Sequence, residues 1–194
     1  MKYYLRIIVI IITTILFLIK PVYASDSSPM DNMDIAPGAV DIRLIPQYCK
    51  LLSGEEGIKV CNLAIMLNPD DIISWNNRGE KLFKLGRYSE ALNTYNHALL
   101  IDSEYSLVLA NRCGVLSALQ RYSEALKSCK YALLGNKKWG ISGEVLAWNN
   151  QGDALFNLGR YQESLASFDK AIAMKPDFEN LQTNREIVLN KLHM

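Results

Sequence analysis

The chain repeats itself, and that constrains its fold more than any other feature. Trp75-Asn76-Asn77-Arg78-Gly79, followed by Leu82-Phe83-Lys84-Leu85-Gly86-Arg87-Tyr88, returns as Trp148-Asn149-Asn150-Gln151-Gly152 with Leu155-Phe156-Asn157-Leu158-Gly159-Arg160-Tyr161. A looser copy lies between them, with Leu109, Asn111, Leu116, Arg121-Tyr122, Glu124-Ala125-Leu126 and Ala132 at the same relative places. Self-similarity at this period marks stacked units, each too small to bury its own apolar face. Such stacks present extended surfaces to partners and rarely carry chemistry of their own.

The N-terminus reads differently. Lys2 and Arg6 precede an apolar run from Ile7 to Ile19, Lys20-Pro21 breaks it, and Val22-Tyr23-Ala24 offers a cleavage site before Ser25. Residues 1–24 are therefore expected to be a secretion signal. The run is short for a spanning helix, which takes roughly 20 apolar residues; the alternative is an uncleaved anchor, the chain's only membrane contact. Either way the folded part is periplasmic or secreted. Of 21 Lys and Arg residues, Lys2, Arg6 and Lys20 leave with the signal, while all 20 acidic residues stay, so the exported chain carries a charge near −2. That argues against a nucleic-acid partner, which calls for a basic face. Residues 25–37, rich in Ser, Asp, Pro and Met without helical or strand period, read as a flexible linker.

With Trp75 at position 4, Gly79 falls at 8, Leu82 at 11, Gly86 at 15, Tyr88 at 17, Ala91 at 20, Tyr95 at 24 and Ala98 at 27 of a unit covering 72–105. The frame on Trp148 gives Gly152, Leu155, Gly159, Tyr161, Ser164, Phe168, Ala171 and Pro176. This pattern resembles the tetratricopeptide repeat. The resemblance implies an all-α solenoid of helical hairpins, with repeats at 72–105, 106–144 (carrying an inserted loop) and 145–178. A degenerate repeat at 38–71, whose first helix contains Pro46, precedes them, and a capping helix at 179–194 follows. Arg78, Arg112 and Gln151 replace the usual Leu, Ser103 and Lys137 the usual Pro, and Ser164 an Ala.

The recurrent residues have physical reasons. Gly79, Cys113 and Gly152, opposed by Ala91, Ala125 and Ser164, are small because paired helices approach closely there, and overpacking costs about 1–3 kcal/mol. Trp75, Leu82, Tyr95 and Ala98 give the helices apolar stripes. Gly86 and Gly159 suit a turn with a left-handed residue, and Pro69 and Pro176 stop the second helices. In the same frame Cys113 at position 8 and Cys129 at position 24 lie nearly opposite, and Cys49 and Cys61 flank the Ser53–Glu56 turn. Two bridges, Cys49–Cys61 and Cys113–Cys129, are expected in an oxidising compartment. The alternative is four buried thiols at positions that want small apolar residues.

The chain shows no phosphate loop, nucleophile elbow or zinc-protease motif. His97 and His193 lack partners at metal-ligand spacing, and the acidic pairs Glu55-Glu56 and Asp70-Asp71 suit helix starts. Neither enzyme activity, nor a cofactor, nor a small-molecule substrate is expected. In tetratricopeptide proteins the first helices line a concave groove. Position 6 here is Asn77, Asn111 and Asn150, with Asn184 equivalent in the cap, which resembles the asparagine ladders that hold an extended peptide. A carboxamide both donates and accepts, so it suits a peptide backbone. Asn76 and Asn149 widen the polar strip, Phe83 and Phe156 supply apolar floor, and Glu80 and Asp153 add mild acidity. The basic positions of the chaperone-type carboxylate clamp are occupied by Ile73, Asn76, Leu107, Asn111, Leu146 and Asn150, so an acidic C-terminal tail is not the expected ligand. Trp139, beside Lys137-Lys138, reads as part of a long inter-repeat loop or as an exposed contact. The leading reading is an exported adaptor or scaffold binding a protein or peptide in this groove. The alternative is a self-associating structural or assembly factor of a cell-envelope complex, or a scaffold that binds by its convex face.

Overall fold

The computed structural model describes residues 41–178 and 180–193. The expected signal at 1–24 and linker at 25–37 lie outside them. Among the described residues there are nine α-helices and no strand, and no helix is long and apolar enough to cross a membrane. After a 3-10 turn at Ile42–Leu44 come α1 (Ile45–Leu51), α2 (Gly54–Leu67), α3 (Ile72–Lys84), α4 (Tyr88–Ile101), α5 (Ser106–Ala118), α6 (Tyr122–Leu134), α7 (Gly143–Asn157), α8 (Tyr161–Met174) and α9 (Leu181–Leu192). Each odd helix pairs with the even one after it, and hairpins stack in sequence order, with α9 packed on α8. This is the tetratricopeptide-type hairpin solenoid.

Local chemistry sets the helix ends. Pro46 sits in the first turn of α1, where its missing N–H costs nothing. Glu55 and Glu56 occupy the first turn of α2, and the Asp71 side chain caps α3 by accepting from Ile73 N. The hairpin turns place Gly86 and Gly159 at φ +74° and, at the same register, Gln120 at +60°. A residue with a Cβ is disfavoured there by roughly 1–2 kcal/mol, partly offset by glycine's greater entropy loss. Gln120→Gly is therefore expected to stabilise the chain by about 0.5–1 kcal/mol, read as a higher urea midpoint at unchanged slope; a lower midpoint would contradict it.

Each of the three hairpins from α3 to α8 is held where position 8 meets position 24. A Cβ on Gly79 would come within 2.5 Å of the Tyr95 ring, and one on Gly152 within 2.8 Å of Phe168. The glycines are thus small because an aromatic ring crosses over them, in addition to the approach of Ala91 and Ser164. In the middle repeat the same contact is made by Cys113 and Cys129, whose sulfurs are 2.14 Å apart; those of Cys49 and Cys61 are 2.13 Å apart. Both expected pairs lie at disulfide distance.

Neighbouring hairpins are tied at position 7. Arg78 Nε donates to Asn62 Oδ1 (2.7 Å), Arg112 Nε to Asn96 Oδ1 (2.8 Å) and Arg185 Nε to Asp169 Oδ1 (2.6 Å). Each reaches back to the preceding second helix, which explains arginine where leucine is usual. Gln151 follows the inserted loop, and its Oε1 is buried without a partner.

The candidate peptide groove

The first helices are unevenly spaced. Ala110 and Ala147 are fully buried between α5 and α7, and Gly114 leaves the Asn150 amide room: a Cβ there would lie 2.9 Å from its Nδ2. These small residues bring α5 and α7 together, whereas α3 and α5 touch at few points. The gap is a groove of about 730 Å³. Asn76, Asn77, Glu80, Phe83, Asn111 and Asn150 are among the residues that line it. Ile73, Leu107, Leu146, Tyr105 and Phe178 add apolar wall, and Lys50 stands at the α1 end.

The other candidates lie elsewhere. Phe156 packs against Tyr161, 5.5 Å between ring centroids, within the cluster around Phe168 and Val188. Asn149 accepts from Asn184 Nδ2 at 3.2 Å. Asp153 is half-buried, with Asn157 Nδ2 donating to its carboxylate at 3.3 Å. Burial raises the Asp153 carboxyl above its ordinary value. A carboxyl raised on folding favours the folded state below its unfolded value and loses that contribution as pH rises through the folded one. Asp153→Asn is therefore expected to raise the thermal midpoint at pH 7 and to change it little near pH 3; an equal change at both would contradict this.

The asparagine ladder is mostly spent on the solenoid itself. Asn111 Nδ2 donates to Asn76 Oδ1 (2.8 Å), so position 6 of one repeat joins position 5 of the one before, as Asn184 does with Asn149. Ala110 has no such oxygen at position 5, and Asn150 Nδ2 donates to the Ala110 carbonyl instead (3.0 Å). Asn77 differs. The unit before it has a short first helix that starts only at Ile45, and Asn77 Nδ2 is shielded from solvent with no partner. The residue is 8% exposed and lines the groove. An unpaired buried donor costs about 1–3 kcal/mol, which an incoming acceptor would recover. Beneath it Tyr95 reaches the groove past Gly79.

The inserted loop forms the far wall. Asn136 fastens it over the start of α5: its Nδ2 donates to Asp102 Oδ2 (2.8 Å), its Oδ1 accepts from Ser106 N (3.3 Å) and Lys138 N (3.0 Å), and its N donates to the Glu104 carbonyl (2.9 Å). Leu107 N donates to the Lys138 carbonyl at 3.2 Å. Trp139 is not an exposed tip. It is half-buried against Leu109, Ala110, Ala132 and Ala147, because the fastened loop folds it inward, and its Nε1 is buried without a partner. The exposed side chain is Ile141, fully solvated at the groove's edge. No composition signal marked Ile141; the Asn136-Lys137 pair before two glycines was the available hint of a built loop.

The tetratricopeptide repeat family model matches residues 72–105 and 145–178, so the chain carries tetratricopeptide repeats. No protein of curated function has a matching sequence. Solved structures share the fold. The second TPR domain of human RPAP3, in complex with the HSP70 peptide SGPTIEEVD, is 27% identical over 60% of this chain and 93% of that one, with a TM-score of 0.52. The Arabidopsis OM64 TPR domain is 23% identical over 60% and 93%, with a TM-score of 0.54. A double mutant of MamA RS-1 is 18% identical over 78% and 83%, with a TM-score of 0.62.

Proposed function

We propose that this tetratricopeptide-repeat chain is an exported protein-interaction module that holds an extended peptide segment in the groove between α3, α5 and the inserted loop. The observation that carries the reading is Asn77 Nδ2, a buried donor without a partner lining an open groove with apolar walls. A peptide carbonyl supplies the missing acceptor, and side chains on alternate sides of an extended segment meet Ile73, Phe83, Leu107 and Leu146. Asn76 and Asn111 already pair with each other, so they position the groove wall and offer the bound segment their remaining N–H groups. The structurally similar RPAP3 domain is solved with a peptide, which supports the same use of this fold here. Glu80 is ion-paired to Lys84 at 2.7 Å, leaving Lys50 as the groove cation without an ion pair among the described residues. Two cysteine pairs at disulfide distance support export to an oxidising compartment.

The test is selection of a random-peptide library on the chain, followed by measured affinities for the enriched sequences. Asn77→Ala is expected to weaken the selected peptides by about tenfold, the worth of one net hydrogen bond of roughly 1.4 kcal/mol, with the thermal midpoint unchanged or raised. Selected peptides that bind Asn77→Ala and wild type equally would place recognition outside this groove.

A further inference from the structure

The outer face of the second helices carries a feature that the groove does not explain. Position 29 is a strongly exposed apolar residue in three successive units: Met66 is 61% exposed, Leu100 83% and Leu134 79%. The same register in successive repeats puts these side chains in one row. Their direction follows from helix periodicity. Ala91, Tyr95 and Ala98 of α4 are buried against α3, and Leu100 lies two residues beyond Ala98, on the opposite side of the helix.

On α6 the row acquires charge. Lys127, Tyr131 and Leu134 stand at i, i+4 and i+7, one stripe of the helix, with Lys130 beside them and Lys170 at the Tyr131 register on α8. All are exposed. Lys127 Nζ lies 5.8 Å from the Tyr131 ring centroid and Lys170 Nζ 4.1 Å from that of Trp148. Among the described residues neither these two lysines nor Lys130 forms an ion pair. The carboxylates near this face are already engaged: Glu90 by Arg87, Glu124 by Arg121, Glu163 by Arg160 and Asp169 by Arg185. A chain that is near neutral as a whole thus presents uncompensated cations around protruding leucines.

We propose that this outer face docks on an anionic lipid surface. Leu100, Leu134 and the Tyr131 ring enter the headgroup layer, and Lys127, Lys130 and Lys170 pair with lipid phosphates. Exposed apolar tips flanked by lysines are the combination that binds a membrane interface, where acyl burial and attraction to anionic lipid act together, and tyrosine suits the headgroup level. The leucines stand singly on separate helices. A protein partner would need two pits at matched spacing, whereas a lipid layer accommodates any spacing. The groove, on the first helices, stays open.

The test uses the full chain and two vesicle preparations, one of phosphatidylcholine and one of equal phosphatidylglycerol and phosphatidylcholine. The N-terminal apolar run is common to every variant and to both preparations, so the readout is the ratio of the two affinities in co-sedimentation. A preference of about tenfold or more for the anionic vesicles is expected, weakening with salt. It is expected to disappear in Lys127→Glu/Lys130→Glu, whereas Leu100→Ser/Leu134→Ser is expected to lower the affinity for the anionic vesicles. Both pairs are at exposed positions and both variants should keep the thermal midpoint, while Asn77→Ala keeps affinity and preference. Absence of the preference in the wild-type chain, its survival in the lysine variant, or an unchanged affinity for anionic vesicles in the leucine variant would overturn the proposal. An acidic protein as the true occupant of this face would give the first of those results.

Discussion

Tyr95→Ala is expected to lower the stability of the chain by about 3–5 kcal/mol, the range for emptying a large aromatic site in a packed interior. Tyr95 is 1% exposed and belongs to the central cluster with Leu82, Ala91, Ala98 and Leu116. Its ring fills the space that Gly79 leaves open, so no side chain of α3 can move in to replace it. The α3–α4 hairpin stands between the N-terminal hairpin and the rest, and stacked units share stability through their interfaces. The loss should therefore appear as one lowered urea midpoint for the chain. Tyr95→Phe keeps the ring and should cost far less. A loss below about 1 kcal/mol for the alanine variant would mean that the glycine–aromatic crossing is not what holds the hairpin.

The second large effect concerns the middle hairpin, where a sulfur pair replaces that crossing. Cys113→Ala/Cys129→Ala is expected to cost about 3 kcal/mol, the chain-entropy value for a loop of this size; the two cysteines are 16 residues apart. Both are fully buried in the same cluster as Leu116 and Leu126. Alanine at these sites leaves little cavity, so the change reports mostly on the cross-link. Reductant should lower the wild-type midpoint by more than this, because it opens both bridges, and move the double variant less, through Cys49–Cys61 alone. A wild-type midpoint that ignores reductant would show that the cross-links do not contribute to stability.

The hairpin solenoid was legible because the same stereochemical demands recur in each unit. Trp75 and Trp148, Gly79 and Gly152, Gly86 and Gly159 sit where helix packing and turn geometry leave few choices, and a residue that recurs for a physical reason can be read from the string. The pairing of position 8 with position 24 was legible for the cysteines and missed for Gly79 with Tyr95, although it is the same contact.

The groove was legible only in part. The position-6 asparagines were found, but the hydrogen bonds that occupy them depend on the register between helices some 35 residues apart. The signal was present in position 5: Asn76 and Asn149 offer an oxygen to the next repeat, and Ala110 does not. Asn77 stands out only once the shortness of α1 is known, which Pro46 hinted at. The inserted loop was legible, but its placement over the start of α5 was not, because that rests on one side chain, Asn136, making several bonds at once. Of the two readings of Trp139, part of a long inter-repeat loop or an exposed contact, only the second rested on its basic neighbours, and the ring is folded inward.

The most direct test of groove recognition is a nuclear magnetic resonance titration of the chain with a selected peptide, following the asparagine side-chain amides. The Asn77 amide pair should shift most, with Asn76, Asn111 and the backbone of Gly140–Gly143 moving alongside it, and the outer positions of α4, α6 and α8 unmoved. Shifts confined to those outer positions, with the Asn77 pair unchanged at saturation, would contradict recognition in the groove.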